Sequence, residues 1–351
     1  MSDGGPIYFV TGGAGFVGAN LVAELMRRDS SAEIHVIDDF RSGSFANIVE
    51  ACARAGVGPF RGSVVPESTA ELNLANAVEM LRPAAVFHLG AITDTTLADE
   101  AEMIRVNTEG FEDLIDACAD TRTPLVYASS AATYGTPPQT TSREAFPIDA
   151  AGEPNNVYGF SKWLMETIHR RVIDRRAATG DPAPICVGLR YFNVFGPGES
   201  RKGKMASMVY QLAQQMLDGH SPRLFTGGEQ SRDQVPVEDV VSCTLAAAGF
   251  GETPIESITP GVYNLGSGVA TSFNEIVSAL REALGLDEAT QPTEYFEMPA
   301  HIRAFYQDWT LAKMSETERG LGWTPGVETR AAMVAYGKLL ASECGTVAAG
   351  V

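Results

Sequence analysis

The fold of this chain is decided by one stretch, Val10-Thr11-Gly12-Gly13-Ala14-Gly15-Phe16-Val17-Gly18-Ala19-Asn20. It follows a short apolar run, Ile7 to Val10, and opens a segment in which apolar residues recur with helical spacing. A strand, a tight turn and a helix in this order are typical of a dinucleotide-binding unit. In such a unit the first glycine allows the turn, the second lets backbone approach a pyrophosphate and the third packs the helix against the strand. The glycines with the spacing for these roles are Gly12, Gly15 and Gly18.

A second strand supports this interpretation, which a glycine triplet alone would carry only weakly. The run Ile34 to Ile37 ends in Asp38 and Asp39, about 20 residues after the glycines. A carboxylate at that place accepts hydrogen bonds from the ribose hydroxyls of adenosine. The sequence therefore predicts a dinucleotide bound across the glycine turn.

The composition argues against several classes of partner. A net charge of -18 would repel the phosphates of nucleic acids and the surface of anionic membranes. No apolar run reaches the ~18 residues of a transmembrane helix, and the chain enters its first strand without a signal-peptide pattern, so we expect a cytoplasmic protein. The five cysteines are odd in number and far apart, which indicates neither disulfides nor a metal site, and we expect them to be reduced packing residues.

Strand and helix patterns alternate up to about residue 190. Short apolar runs between helical patterns predict an α/β fold, a Rossmann-type doubly wound parallel sheet with both faces covered. We expect a dinucleotide-binding domain over residues 1–190 and a smaller α/β substrate domain mainly over residues 191–345, with some chain interleaved. One continuous helix is predicted over Ala98–Ala119. The predicted strands are Ile7–Val10, Ile34–Ile37, Ala84–Leu89, Leu125–Ala128 and Ile185–Leu189, with a further one within Gly56–Gly62.

Three residues of the first domain suggest acid–base chemistry. Ser130 follows a predicted strand, and Tyr158 and Lys162 open a predicted helix that runs to Arg176. Residues four apart share a helix face, so the ammonium would bias the phenol toward its anion. Lowering the tyrosine pKa from about 10 to about 7 requires roughly 4 kcal/mol of phenolate stabilisation. Spacing alone would favour a pair on the helix surface. The serine at the end of the preceding strand and the dinucleotide turn make that improbable and favour a site that exchanges protons at neutral pH.

Together, Gly12-x-x-Gly15-x-x-Gly18, Ser130 and Tyr158-x-x-x-Lys162 resemble the extended short-chain dehydrogenase/reductase family over nearly the whole chain. In that family, which acts largely on nucleotide sugars, the tyrosine moves the proton of a sugar hydroxyl while hydride passes to nicotinamide. The lysine holds the nicotinamide ribose and the serine hydrogen-bonds the reacting oxygen. The resemblance thus implies a nicotinamide cofactor, a nucleotide-sugar substrate and a homo-oligomer.

The resemblance also implies which residues contact each ligand. Leu89, Gly90 and Ala91 end a strand at the edge where open α/β sheets bind ligands, and Arg232 lies in a basic, glycine-rich segment suited to a diphosphate. The cofactor contacts are expected from Gly12, Gly15, Phe16, Val17, Gly18, Asp38, Asp39, Leu89, Gly90, Ala91, Asn107, Tyr158, Lys162 and Val194. The substrate contacts are expected from Ser130, Asn193, Lys202, Phe225 and Arg232.

The string Lys202-Gly203-Lys204-Met205-Ala206-Ser207 resembles a branch of the family that epimerises a nucleotide-linked heptose at C6. A carbon with only a hydroxyl and a hydrogen has no acidic proton, so its inversion requires oxidation to a ketone, reorientation and return of the hydride to the other face. An acid or base is then needed on each side. Tyr158 is one and, by the resemblance, Lys202 is the other. Three substrate-side positions depart from the branch. Lys204 stands in place of a serine, Gln211 in place of a histidine and Ile302 in place of a tyrosine.

The sequence leaves the choice between NAD and NADP open. Enzymes of that branch commonly use NADP, yet Asp38 and Asp39 would repel a 2′-phosphate, and Phe45 stands where the branch has a lysine. Arg41 would compensate in part. The acidic pair narrowly favours NAD.

Three other functions compete with the epimerase of a heptose. A nucleotide-sugar 4,6-dehydratase needs an acidic pair directly after the serine, where Ala131 and Ala132 stand. A hexose 4-epimerase needs only Ser130, Tyr158 and Lys162, and is the runner-up. A non-catalytic nucleotide-binding protein typically loses the tyrosine or the lysine, whereas this chain keeps both.

Overall fold

The computed structural model describes residues 4–94, 99–136, 143–303 and 306–348. Within these ranges the strands are β1 Ile7–Thr11, β2 Glu33–Ile37, β3 Ser63–Val65, β4 Ala85–His88, β5 Leu125–Ser130, β6 Cys186–Tyr191, β7 Asn193–Phe195, β8 Arg223–Phe225, β9 Ser231–Pro236, β10 Gly261–Leu265, β11 Ala270–Ser272 and β12 Glu294–Phe296. The helices are α1 Phe16–Arg28, α2 Phe45–Ala55, α3 Leu74–Leu81, α4 Glu100–Thr108, α5 Phe111–Thr121, α6 Val157–Thr179, α7 Met208–Leu217, α8 Val237–Ala247, α9 Phe273–Leu284, α10 Ala300–Arg303, α11 Ser315–Leu321 and α12 Thr329–Ala348.

The central sheet of the described chain has the strand order β10-β6-β5-β4-β1-β2-β3, and every neighbouring pair is parallel. Successive side chains of a strand point to opposite faces, and each face here has its own core. Val10 packs with α1, α2 and α8, whereas the preceding Phe9 packs with α3, α5 and α6. The predicted Rossmann-type doubly wound sheet is therefore confirmed.

Three predicted elements differ in the structure. The segment Gly56–Gly62 is a connection, and the strand β3 begins one residue after it because Gly56 and Gly58, both at positive φ, end α2 and turn the chain. The helix predicted from Ala98 to Ala119 is two helices, α4 and α5, separated at Gly110 with φ 71°. Ala98 itself lies outside the described residues.

Part of the chain after residue 191 lies with the dinucleotide-binding sheet. Strand β10 lies in the central sheet beside β6, and α8 packs against α1 in the core below that sheet. Sequence patterns show that a strand exists but not which sheet it joins. The remaining small domain contains the sheet β11-β9-β7, the pair β12-β8 and a core formed by α7, α9 and α12.

Two expectations from composition, about the cysteines and about membrane helices, can be compared with the described residues. Four cysteines, Cys52, Cys118, Cys186 and Cys243, are free and buried, as expected for packing residues, but Cys344 is exposed, so the packing prediction was wrong for it. Among the helices of the described ranges, none combines the length and apolar character needed to cross a membrane.

Candidate active site

A cleft of about 570 Å³ opens at the carboxyl ends of the central strands, where open α/β sheets bind ligands. Residues from β1, β2, β4 and β5 form its floor, and α6 and the segment before α7 form its walls. Most of the predicted site residues line this one cleft. They are Gly12, Gly15, Phe16, Val17, Gly18, Asp38, Asp39, Leu89, Gly90, Ala91, Ser130, Tyr158, Lys162, Val194 and Lys202.

The glycine turn brings backbone close to backbone in the way that its sequence predicts. Gly12 has φ 64°, and a Cβ there would lie 2.8 Å from Gly90 Cα. A Cβ on Gly18 would lie 2.1 Å from Gly12 O, so only glycine lets α1 pack this tightly on the turn. Gly15 caps α1 without a side-chain hydrogen bond, which leaves the first amides of the helix available to an anion.

The two acids after β2 have different surroundings. Asp38 is buried, and its carboxylate accepts hydrogen bonds from Ala14 N and Phe40 N, each at 2.9 Å. Burial raises the pKa of Asp38 and these backbone hydrogen bonds partly offset the rise. Asp39 is exposed and lies 3.5 Å from the Arg41 guanidinium, which is also 3.4 Å from Glu102. The predicted compensating charge of Arg41 is therefore shared between two carboxylates.

Ser130 and Tyr158 meet where β5 and α6 converge. The Ser130 hydroxyl lies close enough to the Tyr158 phenol to lower its pKa against the effect of burial. Gly159 makes the approach possible, because a Cβ there would lie 2.6 Å from Ala132 O. The side chain of Asn156 caps α6 by accepting from Gly159 N at 2.8 Å, so the helix begins directly before the tyrosine. The motif Tyr158-Gly159 thus encodes both the predicted acid–base group and the contact that places it.

The lysine of the motif is buried and bonded to the backbone of β5. Lys162 Nζ donates to Ala128 O at 2.8 Å, and burial lowers the pKa of Lys162 to about 8. Burial also raises the pKa of Tyr158, with the Ser130 hydrogen bond acting in the opposite direction. In this structure the ammonium is desolvated and bonded to the carbonyl of β5, and the expectation that it biases the phenol toward its anion stays a prediction.

A buried polar network behind these residues was missed by the sequence reasoning. Glu166, one helical turn beyond Lys162, pairs with Arg190 at 2.7 Å and accepts from Ser129 Oγ at 2.6 Å. Arg190 also donates to Tyr134 OH at 2.9 Å, and Tyr134 donates to Asn264 Oδ1 at 2.7 Å. The spacing of Tyr158, Lys162 and Glu166 at four-residue intervals on one helix face was the available signal.

Lys202 reaches the cleft from a 3-10 turn, Ser200–Met205, that precedes α7. Its Nζ lies 5.3 Å from the centre of the Phe16 ring at the start of α1. Burial lowers the pKa of Lys202, and the negative charge of Glu199 partly restores it. Gly203, with φ 55° and ψ -128°, turns the chain directly after the lysine. A cationic side chain from the second part of the chain thus faces the glycine-rich helix of the first.

Two predicted contact residues, both asparagines, are placed away from the cleft lining. Asn107 is buried behind it, where its amide accepts from Ile92 N at 2.7 Å and donates to Ile92 O at 3.1 Å and Ser161 Oγ at 2.9 Å. It supports the lining residue Ile92 and is not itself among the cleft-lining residues. Asn193 is exposed on β7.

The other two predicted contact residues form a second cluster in the small domain. The guanidinium of Arg232 lies 4.8 Å from the centre of the Tyr306 ring, and Phe225 packs edge-on against the same ring at 5.4 Å. Tyr306 was not predicted. The sequence analysis expected a tyrosine at the position of Ile302, whose side chain lies outside the described part, and the structure places one four residues later.

The fold and this cleft define the class of Rossmann-type dinucleotide-binding enzymes, and comparison with known proteins narrows it. The chain matches the NAD dependent epimerase/dehydratase family over residues 8–266. An ADP-L-glycero-D-manno-heptose-6-epimerase from Alkalilimnicola ehrlichii is 38% identical over 315 residues, which cover 88% of this chain and 89% of that protein. This chain therefore belongs to the NAD-dependent epimerase/dehydratase family, and it is an enzyme.

Solved structures agree with the assignment. The crystal structure of ADP-L-glycero-D-manno-heptose-6-epimerase from Helicobacter pylori matches with a TM-score of 0.78 at 31% identity, covering 94% of this chain and 95% of that one. MoeE5, solved in complex with UDP-glucose and NAD, matches with a TM-score of 0.72 at 26% identity, covering 97% and 100% of the two chains. The family resemblance predicted from the glycine, serine, tyrosine and lysine positions is confirmed.

Proposed function

We propose that this enzyme is a nucleotide-sugar epimerase that inverts a carbon by transient oxidation, and that its substrate is an ADP-glycero-manno-heptose epimerised at C6. The observation that carries the proposal is the single cleft that contains Ser130, Tyr158 and Lys162 on one wall and Lys202 on another. An oxidation site with two separate proton-transferring side chains suits a reaction in which the intermediate ketone is reduced from its other face.

The residues of the cleft fit a nicotinamide dinucleotide. The uncapped amides of α1 and the bare glycine turn suit a pyrophosphate. Lys162 Nζ has one oxygen acceptor among the described residues although an ammonium carries three protons, so it has donors left for ribose hydroxyls. When bound, the cofactor supplies the acceptance and return of a hydride.

The surroundings of the predicted ribose site favour NAD over NADP. Asp38 and Asp39 both line the cleft, and the Arg41 charge is already paired with Asp39 and Glu102. Phe45, where the resembling branch has a lysine, is 46% exposed and packs on Phe60 at 6.4 Å. A 2′-phosphate placed here would meet two carboxylates, and a phenylalanine where the resembling branch offers a lysine to bind it.

The chain's own side chains manage the protons. In the proposed reaction Tyr158 takes the proton from the sugar hydroxyl as the carbon is oxidised and Ser130 holds the same oxygen by a hydrogen bond. The pKa of Tyr158, raised by burial, must fall for this step. We expect the Lys162 ammonium, four residues further on the same helix face, and the Ser130 hydroxyl to favour the anion, and burial of the phenol strengthens both interactions.

Lys202 is proposed to give the proton back when the ketone is reduced on its other face. Burial lowers its pKa from the ordinary lysine value, which brings an amine closer to the range where it exchanges protons at neutral pH. Its attachment to the second part of the chain separates it from Tyr158, so each face of the reacting carbon has its own acid or base.

The cluster of Arg232, Phe225 and Tyr306 is the proposed site for the nucleotide diphosphate. Arg232 is nearly buried, and burial lowers its pKa because water no longer stabilises the guanidinium charge. A bound anion would stabilise that charge in place of water. The aromatic rings of Phe225 and Tyr306 offer faces for a base or ribose.

The sequence expectation of a cytoplasmic homo-oligomer stays a prediction, which cell fractionation and light scattering would check.

The test compares substrates in the wild type and in Lys202→Met. Without added cofactor, wild-type enzyme should interconvert the two ADP-heptoses and leave UDP-glucose and UDP-galactose largely unchanged. Lys202→Met should lose epimerisation yet retain a slower half-reaction on one epimer, supported by Tyr158. Rapid UDP-hexose turnover that is insensitive to Lys202 would identify a hexose 4-epimerase instead, and no turnover of any of these sugars would overturn the heptose proposal and indicate another nucleotide-sugar substrate.

A further inference from the structure

The segment that carries Lys202, residues 196–207, is held by both parts of the molecule. On the side of the small domain, the buried Glu199 carboxylate accepts from Gly196 N at 3.1 Å, Ser207 N at 2.6 Å and Ser207 Oγ at 2.9 Å. These hydrogen bonds join the two ends of the segment and attach it to the start of α7, whose N-cap is Ser207.

On the side of the dinucleotide-binding domain, the segment is held by Arg201, the residue directly before Lys202. Its guanidinium makes a two-pronged ion pair with Glu50, at 2.8 Å and 2.6 Å, and donates to Asn47 Oδ1 at 2.9 Å. Both partners lie on α2. A second tie, Asn20 Nδ2 to Pro197 O at 2.9 Å, attaches the same segment to α1.

Asn47 extends this contact into the glycine turn. The asparagine is buried, and its other amide atom, Nδ2, donates to Ala14 O at 2.8 Å. Ala14 lies between Gly12 and Gly15, and its N–H donates to the Asp38 carboxylate at 2.9 Å. A continuous chain of hydrogen bonds therefore runs from the turn through Asn47 to Arg201 and ends next to Lys202.

We propose that Arg201 is a positioning residue that couples the dinucleotide turn to Lys202. A cofactor that orders the turn would, through Asn47 and Arg201, also order the segment that presents the lysine. The coupling must act in both directions, since a segment held by the turn also helps to hold the turn. This inference rests on the proposed function of Lys202 as the second acid or base.

The chemistry of the contact explains why an arginine is suited to it. A guanidinium holds several donors in one rigid plane, so it can bind the Glu50 carboxylate with two donors and the Asn47 oxygen at the same time. The three donors of a lysine radiate from one nitrogen, so it cannot bind the carboxylate with two parallel donors while also reaching the Asn47 oxygen. The pair is partly exposed, so its removal should affect global stability little, while a shift of the neighbouring Lys202 would affect the reaction strongly.

The experiment uses Arg201→Ala, Arg201→Lys and Glu50→Gln, with Arg330→Ala as the matched control. Arg330 makes a comparable exposed ion pair with Glu282 at 2.8 Å in the small domain, far along the chain from the cleft residues. We expect kcat of Arg201→Ala to fall by about tenfold or more with substrate KM little changed, since misplacing a reacting group impairs the chemical step more than binding. Arg201→Lys should be intermediate, and Arg330→Ala unchanged.

A second readout does not depend on activity. Trypsin can cut after Lys202 and Lys204, and both sites persist in every variant. In protein first stripped of its bound nucleotide, added NAD should slow these cuts by about fivefold or more in the wild type and the control, and by much less in Arg201→Ala and Glu50→Gln. Glu50→Gln leaves the segment's sequence intact and serves if Arg201→Ala does not fold.

Equal protection by NAD in all proteins, together with kcat of Arg201→Ala within twofold of the wild type, would overturn the coupling. Full epimerase activity in Lys202→Met would instead overturn the proposed role of Lys202. Loss of protection in the Arg201 and Glu50 variants would then still show that the turn and the segment are coupled.

Discussion

Glu166 and Arg190 form an ion pair of 2.7 Å in which the two side chains are 0% and 2% exposed. The pair joins α6, which begins with Tyr158 and Lys162, to β6 in the middle of the sheet. Arg190 also donates to the carbonyl of Ile148 at 2.6 Å. Burial alone would lower the pKa of Arg190, but the hydrogen bond and charge of Glu166 outweigh it and hold that pKa above its ordinary value. The helix that carries the proposed acid–base residues is thus tied to the sheet by charge as well as by apolar packing.

Breaking this pair should destabilise the fold. Glu166→Gln leaves the Arg190 charge buried without its carboxylate, and we expect a loss of about 3–5 kcal/mol in the free energy of unfolding. Urea unfolding measures it. Glu282→Gln, which breaks the exposed pair with Arg330, is the control and should cost less than about 1 kcal/mol. A loss of similar size in both variants would show that burial adds nothing to the Glu166 pair.

Removing the Tyr158 hydroxyl should stop the reaction and spare the fold. Because general acid–base groups typically contribute at least ~10²-fold, kcat of Tyr158→Phe should fall by that factor or more. Thermal unfolding and cofactor content should match the wild type. Tyr8→Phe, which removes a hydroxyl from a buried tyrosine of β1 that is not among the cleft residues, should retain full kcat. Near-normal turnover of Tyr158→Phe would remove the tyrosine from the mechanism.

The purified enzyme should contain NAD, because an epimerase that returns its own hydride gains nothing by exchanging the cofactor. Denaturing the protein and analysing the released nucleotide by mass spectrometry tests this. Gly18→Ala should purify without a bound nucleotide, since its Cβ would lie 2.1 Å from Gly12 O. Gly345→Ala is the control: its Cβ would have no atom within 4 Å, and this variant should keep the cofactor. Finding NADP alone would overturn the interpretation of Asp38 and Asp39.

Acid should destabilise the protein through two buried histidines. Burial, followed by the charge of Lys162, lowers the pKa of His88 to about 3, and burial, followed by the charge of Arg170, lowers the pKa of His169 to about 4. An unfolded histidine has a pKa near 6.5. Between pH 6.5 and about 4 the unfolded chain therefore binds more protons than the folded one, and stability falls as the pH falls.

The expected slope is about 1.4 kcal/mol per pH unit for each histidine. It is measured by urea unfolding at several pH values. In His169→Asn the dependence of the unfolding free energy on pH should decrease by about 1.4 kcal/mol per pH unit, the contribution of one histidine. The asparagine can still meet Tyr127 OH, which lies 3.2 Å from Nδ1, and the lost Nε2 has no partner among the described residues. An unchanged slope in the variant would contradict the assignment of His169.

Local patterns in the sequence were sufficient for the features that depend on near neighbours. The glycine turn, the acid after β2 and the pair Tyr158 and Lys162 each follow from backbone sterics or helical spacing within a few residues. The parallel sheet follows from the alternation of short apolar runs with helical patterns. The location of the cleft follows as well, because the carboxyl ends of parallel strands share one edge.

Only the tertiary structure decided which distant residues meet. The pairing of Glu166 with Arg190, the contact of Arg232 with Tyr306, the link from Asn47 to Arg201 and the position of β10 beside β6 all join residues far apart in sequence. The hydrogen bond from the Lys162 ammonium to the Ala128 carbonyl likewise joins residues far apart in sequence. Residue type and spacing specify what a side chain can bind, but the partner and the resulting pKa depend on packing and burial, which are set when the whole chain folds.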